Sequence, residues 1–404
     1  MLRHWAGPCY GGVMLDGAIE TRSDVRHPQA RDRIVFVAAP PGFFVSHRLA
    51  LAMRARTAGY DVVVATPEGE GVEAIRAAGF DWHPIPHDGG GMNPIRDFLT
   101  FRSLVRLFRT LRPKIVHNVT VKPVLYGTLA GRITRVPRVI NAISGLGFLF
   151  TGDRHVRRWL GMLLYRLLMR HPDMRVILQN QEDLAFFTRH GLAPAGTIRL
   201  VRGSGVDISA FRPRSSGEHA PIIVQTSRML GDKGVREFIA AAREVKKRWP
   251  VARFLLVGPL YPGNPSALSQ EELEAAQREG VIEWLGYRSD IGELLANATI
   301  YCLPSHREGL PKSLLEAAAC ALPLVTTDTS GCREVVTDGE NGFLVPVADA
   351  EALARAIERL LGDSALARRL GQRARERVER EFALDLIIDQ QIALYAEPFL
   401  RQSG

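Results

Sequence analysis

With 404 residues and 46% hydrophobic side chains, the chain has material for two domains with substantial cores. It contains no run of eighteen apolar residues, so no spanning helix is expected; its first thirty residues hold charges and glycines but no apolar segment, so no secretory signal is expected either. The net charge of +9 is uneven: residues 1–215 carry 30 Lys and Arg against 16 Asp and Glu, and the remainder 22 against 27, so the first half is the one suited to an anionic partner such as nucleic acid, a diphosphate-bearing lipid or an anionic membrane face.

Residues 1–32 read as a disordered leader, and ordered sequence is expected from Arg33. The apolar run Ile34–Ala39 reads as a buried strand, Pro40–Ser46 as a loop, Arg48–Ala58 as a helix and Val62–Thr66 as a second strand. A strand–helix–strand opening predicts a parallel sheet with helices on both faces, and such sheets bind ligands at the carboxyl ends of their strands. Arg102, Arg106, Arg109 and Arg112 fall along one face of a helix over Ile95–Leu111; that face is either solvated or turned to a membrane. The segment Val156–Arg175 sets arginines among leucines, and a helix at a membrane interface and a core-facing helix both fit it. Pro213–Pro221 reads as a linker.

The second half repeats the alternation of strand and helix. A buried strand ends at Thr226, and the loop after it holds Arg228, Gly231, Lys233 and Gly234. Two cations five residues apart on such a loop suit a diphosphate, Arg as a planar fork and Lys as a point charge. The stretch Ser305–Glu316, SHREGLPKSLLE, follows an apolar strand and opens a helix. Glycine admits close backbone approach, proline suits a first helical position, and the free N–H groups of a helix start favour an anion. Glu308 and Glu316 flank that start. Helices are expected over Ala350–Leu361, Ser364–Phe382 and Leu384–Leu400. The cysteines Cys9, Cys302, Cys320 and Cys332 form no C-x-x-C pair and read as buried free thiols in a reducing cytosol.

Four stretches together carry a resemblance: E-G-x-P-x-x-x-x-E at 308–316, S-R-x-x-x-x-K-G at 227–234, K-P and Y-G within 122–127, and N-A-x-S-G-L-G at 141–147. The chain resembles GT-B glycosyltransferases of family 4, in particular bacterial enzymes that glycosylate undecaprenyl-diphosphate-linked intermediates. The resemblance implies an α/β fold of two Rossmann-like, doubly wound domains facing a cleft. The acceptor-binding domain would span 33–215 and the nucleotide-sugar domain 216–383, with a helix within 384–404 packing back on the first. It implies that Glu308 contacts the donor sugar, Glu316 the ribose, and Arg228 and Lys233 the diphosphate. Gly309, Leu310 and Pro311 would form the donor loop, and Gly286 and Tyr287 would hold the base. Acceptor contacts would come from Gly42, Ser46, His47, Lys122, Asn141 and Ser144. Lys114–His117 reads as a strand end, and many members carry H-x-H after it; here His117 is followed by Asn118 and Val119, so His117 is the candidate for the histidine role.

The expected function is retaining transfer of a sugar from a nucleotide-sugar, UDP-linked by resemblance, to a lipid-linked or other glycan acceptor in envelope polysaccharide assembly. The chain has no D-x-D, so metal-independent transfer is expected, with cations and the helix start meeting the charge of the leaving phosphate and no cofactor required. The expected location is cytoplasmic, peripheral at the anionic inner membrane face. Two alternatives are a nucleotide-sugar epimerase of the same fold and a nucleic-acid-binding protein using the basic half. The second lacks aromatic-rich runs, helix-turn-helix spacing and zinc-ligand spacing, so no nucleic-acid partner is expected.

Overall fold

The computed structural model describes residues 32–86, 93–143, 155–171, 173–213 and 220–399. They form two parallel sheets. The first holds β1 (Arg33–Ala38), β2 (Asp61–Thr66), β3 (Asp81–Pro84), β4 (Ile115–Val119), β5 (Arg138–Ile143), β6 (Met174–Leu178) and β7 (Ile198–Leu200), in the order β3-β2-β1-β4-β5-β6-β7. The second holds β8 (Ile222–Thr226), β9 (Arg253–Val257), β10 (Glu283–Trp284), β11 (Ile300–Leu303), β12 (Leu324–Thr327) and β13 (Gly342–Val345), in the order β10-β9-β8-β11-β12-β13. Each sheet is doubly wound, the fold class the resemblance implies.

The strands are apolar along their length because both faces are covered. In β1, Ile34 and Phe36 face a layer containing Phe44, Leu51, Ile387 and Tyr395, whereas Val35 and Val37 face Leu104 and Phe108. That is the two-residue alternation of a strand carried into two separate cores. The final helix, Leu384–Ala396, packs on the first sheet although the chain leaves that domain some 180 residues earlier. Its end is held by Arg138, whose fully buried guanidinium donates to the carbonyls of Leu394 (2.8 Å), Glu397 (2.9 Å) and Pro398 (2.9 Å) and pairs with Asp173 at 2.9 Å. A cation at a helix carboxyl end satisfies the last carbonyls and complements the dipole.

Three boundaries differ from expectation. The first helix begins at Pro41 and runs to Thr57, so Pro41–Ser46 is its opening turns and not a loop. Its buried side, including Phe44, Arg48, Leu51 and Ala52, docks on the sheet and on the final helix, and this packing sets the boundary. The helix within Val156–Arg175 ends at Leu168, and Met174 and Arg175 are already strand. The final helix stops at Ala396. The leader, Cys9 and residues 214–219 of the linker lie outside the described residues. Cys302, Cys320 and Cys332 are buried and free, and burial raises all three thiol pKa values, those of Cys320 and Cys332 to about 12 and 11.

Candidate active site

In the second sheet the strand order reverses between β8 and β11, the position where open α/β sheets leave a crevice for ligands. The loop after β8 carries Arg228 and Lys233; the loop after β11 carries Glu308. The two are stitched together. The Asp232 carbonyl accepts from the His306 N–H (2.9 Å) and from Ser305 Oγ (3.0 Å), and His306 Nε2 lies 2.9 Å from Glu237. Gly234 has φ +69°, and a Cβ there would stand 2.0 Å from the Pro304 carbonyl oxygen, so only glycine lets the loops meet. Beneath, Gly331 supports the Glu308 loop; a Cβ on it would lie 2.6 Å from the carbonyl oxygens of Glu308 and Gly309. The result is a Lys233 Nζ–Glu308 Oε1 pair at 2.6 Å, with side chains 22% and 9% exposed.

The helix Lys312–Ala319 starts directly after this loop, with Pro311 preceding it, so its first N–H groups have no partners within the helix. Glu316 lies one turn in, its carboxylate 3.3 Å from Lys312 Nζ. Lys312 also donates across the cleft to the Ser46 carbonyl at 3.0 Å. A second crossing runs from Asn180 Nδ2 of the first domain to the Gly309 carbonyl at 3.0 Å. Leu310 is half-buried beneath the loop and reaches Gly203 of the first domain. Arg228 is exposed and does not join the Lys233–Glu308 pair; its guanidinium sits 4.6 Å above the Tyr261 ring. Gly286, at φ +61°, accepts from the Gly258 N–H at 2.8 Å, and Tyr287 beside it is exposed. Both stand past the end of β10, on the sheet edge that carries Arg228.

Of the residues expected to meet the acceptor, Gly42, Ser46 and His47 occupy the first turns of the helix Pro41–Thr57, after β1 and beside the first sheet's own switch point between β1 and β4. The His47 ring stacks on Phe43 with centroids 4.1 Å apart. Desolvation in the cleft, with Lys312 and Arg48 adding like-charge repulsion, lowers its pKa to about 3. Lys122, in the first turn after β4, pairs with Asp97 at 3.0 Å.

Two acceptor-side expectations are corrected. His117 has no solvent-accessible surface: it points into the core, where Nδ1 lies 2.6 Å from the Tyr395 hydroxyl and the ring stacks on Phe36. Burial, and then Arg48, hold its pKa well below the usual histidine range, so it is a neutral core residue out of a substrate's reach. Asn141 is equally buried, accepting from Asn118 Nδ2 (2.9 Å) and Thr128 Oγ1 (3.1 Å), and it anchors β5 to β4 and to the helix Val121–Thr134. Ser144 lies outside the described residues. Among the described residues no group of three or more His, Cys, Asp or Glu side chains gathers to hold a metal.

Sequence reasoning did not single out Lys312 or Asn180. Lys312 carried a signal, its i,i+4 spacing to Glu316; Asn180 carried only that of a helix cap.

The site's chemistry follows from its parts. A half-buried cation, a helix start and two carboxylates converge, an arrangement able to hold a phosphate anion while accepting hydrogen bonds from hydroxyl groups.

Comparison with known proteins gives the same direction. The model of "Glycosyl transferases group 1" matches residues 208–377, and that of "Glycosyl transferase 4-like" residues 33–180. The chain is 30% identical over 297 residues, 70% of its length and 76% of the relative's, to EpsD, a protein of Bacillus subtilis named as a glycosyltransferase. It is 28% identical over 330 residues to the N,N'-diacetylbacillosaminyl-diphospho-undecaprenol alpha-1,3-N-acetylgalactosaminyltransferase of Campylobacter jejuni, covering 78% of this chain and 85% of that enzyme. The structure of HepE from Anabaena, solved with UDP and glucose, superposes with a TM-score of 0.74 at 18% identity, over 91% of this chain and 100% of HepE.

Proposed function

The chain belongs to the glycosyltransferases, and from that premise we propose that it moves a sugar from a UDP-sugar to a lipid-diphosphate-linked acceptor, without a metal and with retention of configuration. The observation that carries the reading is the Lys233–Glu308 pair at the switch point, beside the Lys312–Ala319 helix start. The bond between the anomeric carbon and the diphosphate breaks, its electron pair leaves with the phosphate, an acceptor hydroxyl oxygen bonds to the anomeric carbon on the same face, and the hydroxyl proton passes to the leaving phosphate oxygen. Lys233, Arg228 and the helix-start N–H groups meet that charge. Glu308 accepts from sugar hydroxyls and Glu316 from the ribose. The relative from Campylobacter jejuni is named for an undecaprenol-diphosphate substrate and HepE was solved with UDP, which supports this choice of acceptor and nucleotide.

A lipid-linked acceptor requires an approach to a membrane, and no described helix is long and apolar enough to cross one. The helix Pro94–Leu111 offers a surface for peripheral contact. Ile95, Phe98 and Leu99 are exposed at its start, and Arg102, Arg106 and Arg109 continue the stripe. Leu164 and Leu167 are exposed on the helix His155–Leu168. Apolar groups beside arginines suit the boundary of an anionic bilayer.

The test is incubation of the chain with UDP-sugars and an undecaprenyl-diphosphate-linked sugar, with and without excess EDTA, followed by stereochemical analysis of the product. Acceptor-dependent release of UDP that survives EDTA and yields an α-linkage supports the reading. Loss of activity restored by manganese overturns the metal-free mechanism, and a β-linkage overturns retention.

A further inference from the structure

Lys312 touches both walls of the cleft. Its ammonium lies 3.0 Å from the Ser46 carbonyl in the first domain and 3.3 Å from Glu316 Oε1 in the second. Glu316 is not saturated by this contact. A carboxylate offers about four acceptor positions, so Glu316 can keep Lys312 on one oxygen and take ligand hydroxyls on the other.

Ser46 passes the contact on. Its Oγ is 2.9 Å from the Gly42 carbonyl, 3.3 Å from the Phe43 carbonyl and 2.7 Å from His47 Nδ1. Carbonyl oxygens carry no proton, so the single hydroxyl proton goes to Gly42, and the His47 Nδ1–H donates to Oγ. The opposite assignment would set lone pair against lone pair at 2.9 Å. The His47 ring is thereby oriented by Ser46 Oγ and by the Phe43 carbonyl.

We infer that Lys312 is a positioning residue that carries donor occupancy from Glu316 to the helix Pro41–Thr57, and through Ser46 to the His47 imidazole on the acceptor side. This rests on reading Glu316 as a nucleotide contact. Holding the bridge costs rotamer freedom at both the Lys312 and the Glu316 side chain. Hydroxyls bound to Glu316 fix the carboxylate and with it the ammonium, so bridging to Ser46 loses less entropy. The coupling is reciprocal: an acceptor that orders the helix strengthens donor binding by the same factor. The groups facing His47 are Lys312 from the second domain and Arg48 from its own helix, both cationic, which agrees with a ring that stays neutral.

The experiment is amide hydrogen exchange on the full chain, with and without UDP at concentrations that saturate each variant. In the wild type, UDP slows exchange in peptides covering Phe43–Leu51 by about fivefold, the low end of ordinary coupling. Lys312→Met keeps the stem and removes the ammonium: UDP still slows exchange across Gly309–Ala319, but the effect on Phe43–Leu51 disappears, and Lys312→Arg restores it. Equal slowing in Lys312→Met, or UDP bound to the wild type with Phe43–Leu51 unchanged, overturns the inference alone. A folded wild type that binds no UDP overturns the nucleotide reading and the inference together.

Discussion

Lys233→Met removes the ammonium 2.6 Å from Glu308 Oε1 and keeps most of the side-chain volume. Two separate losses follow. Glu308, 9% exposed, is left without its cation. Removing one partner of a fully buried pair costs about 3–5 kcal/mol. Lys233 is 22% exposed, and solvent screening brings the cost here to about 2 kcal/mol. For a domain of this size each kcal/mol moves the midpoint by about 2–4 °C, so Tm falls by about 4–8 °C. The second loss is a charge-assisted contact to phosphate, worth about 1.5–3 kcal/mol, or about 10- to 100-fold in UDP affinity. Thermal melts and calorimetric titration of UDP measure the two independently. The Lys233→Met/Glu308→Gln double variant separates them, because it has no stranded carboxylate: its Tm recovers most of the loss and its UDP affinity stays at the level of the single variant. UDP affinity within about twofold of wild type in the single variant, or restored in the double, would refute Lys233 as a phosphate contact.

Gly234→Ala forces a methyl into the Pro304 carbonyl, so UDP binding should collapse while far-ultraviolet circular dichroism stays native; full binding would show that the two loops can part without consequence. Arg138→Met strips the carbonyls ending the last helix of their donor and takes one of two guanidinium partners from Asp173, which keeps Arg175 at 2.8 Å, and a loss of about 2 kcal/mol is expected in denaturant melts; a change within about 0.5 kcal/mol would mean that the helix docks by apolar contact alone. The His47 pKa, lowered to about 3, makes stability fall with acid: the unfolded chain takes up a proton near pH 6.5 that the folded chain refuses, a cost of about 2 kcal/mol at pH 5. His117 adds in the same direction, and a Tm independent of pH between 7 and 5 contradicts both assignments. The chain should sediment with anionic vesicles at low salt and be released at high salt, and serine at Phe98 and Leu99 should weaken binding without lowering Tm; indifference to lipid charge returns that stripe to solvent.

The two domains were legible in the sequence because strands covered on both faces read as continuous apolar runs, and the loops after β8 and β11 were legible from their glycines and charges. What joined them was not. Lys233 and Glu308 are 75 residues apart, and only the order of strands in the sheet makes them neighbours. His117 had the sequence context of a strand-end histidine; the Tyr395 hydroxyl that fixes its role is 278 residues away, on a helix whose docking site no local pattern reveals. The start of the first helix was missed for a related reason. PPGFFVS has no polar cap, and helix entry there is decided by packing of Phe44 against the sheet. The end of the helix at Leu168 was within reach, since Pro172 disfavours helix just before it.

The docking of the last helix has a consequence for synthesis. Ile387, Ile388 and Tyr395 belong to the core that also holds Ile34, Phe36 and Phe44. The domain made first therefore lacks part of its interior until the helix Leu384–Ala396 leaves the ribosome, whereas the later domain has its interior once Phe382 has been made. The order of completion is the reverse of the usual N-terminal-first order. A nascent chain arrested before Leu384 would present a finished second domain tethered to a first domain with an open apolar face, where Arg138 keeps Asp173 but lacks the carbonyls of the last helix. Exposed apolar surface of that kind makes an unfinished chain prone to aggregate, and the first domain closes only once the helix Leu384–Ala396 has been made.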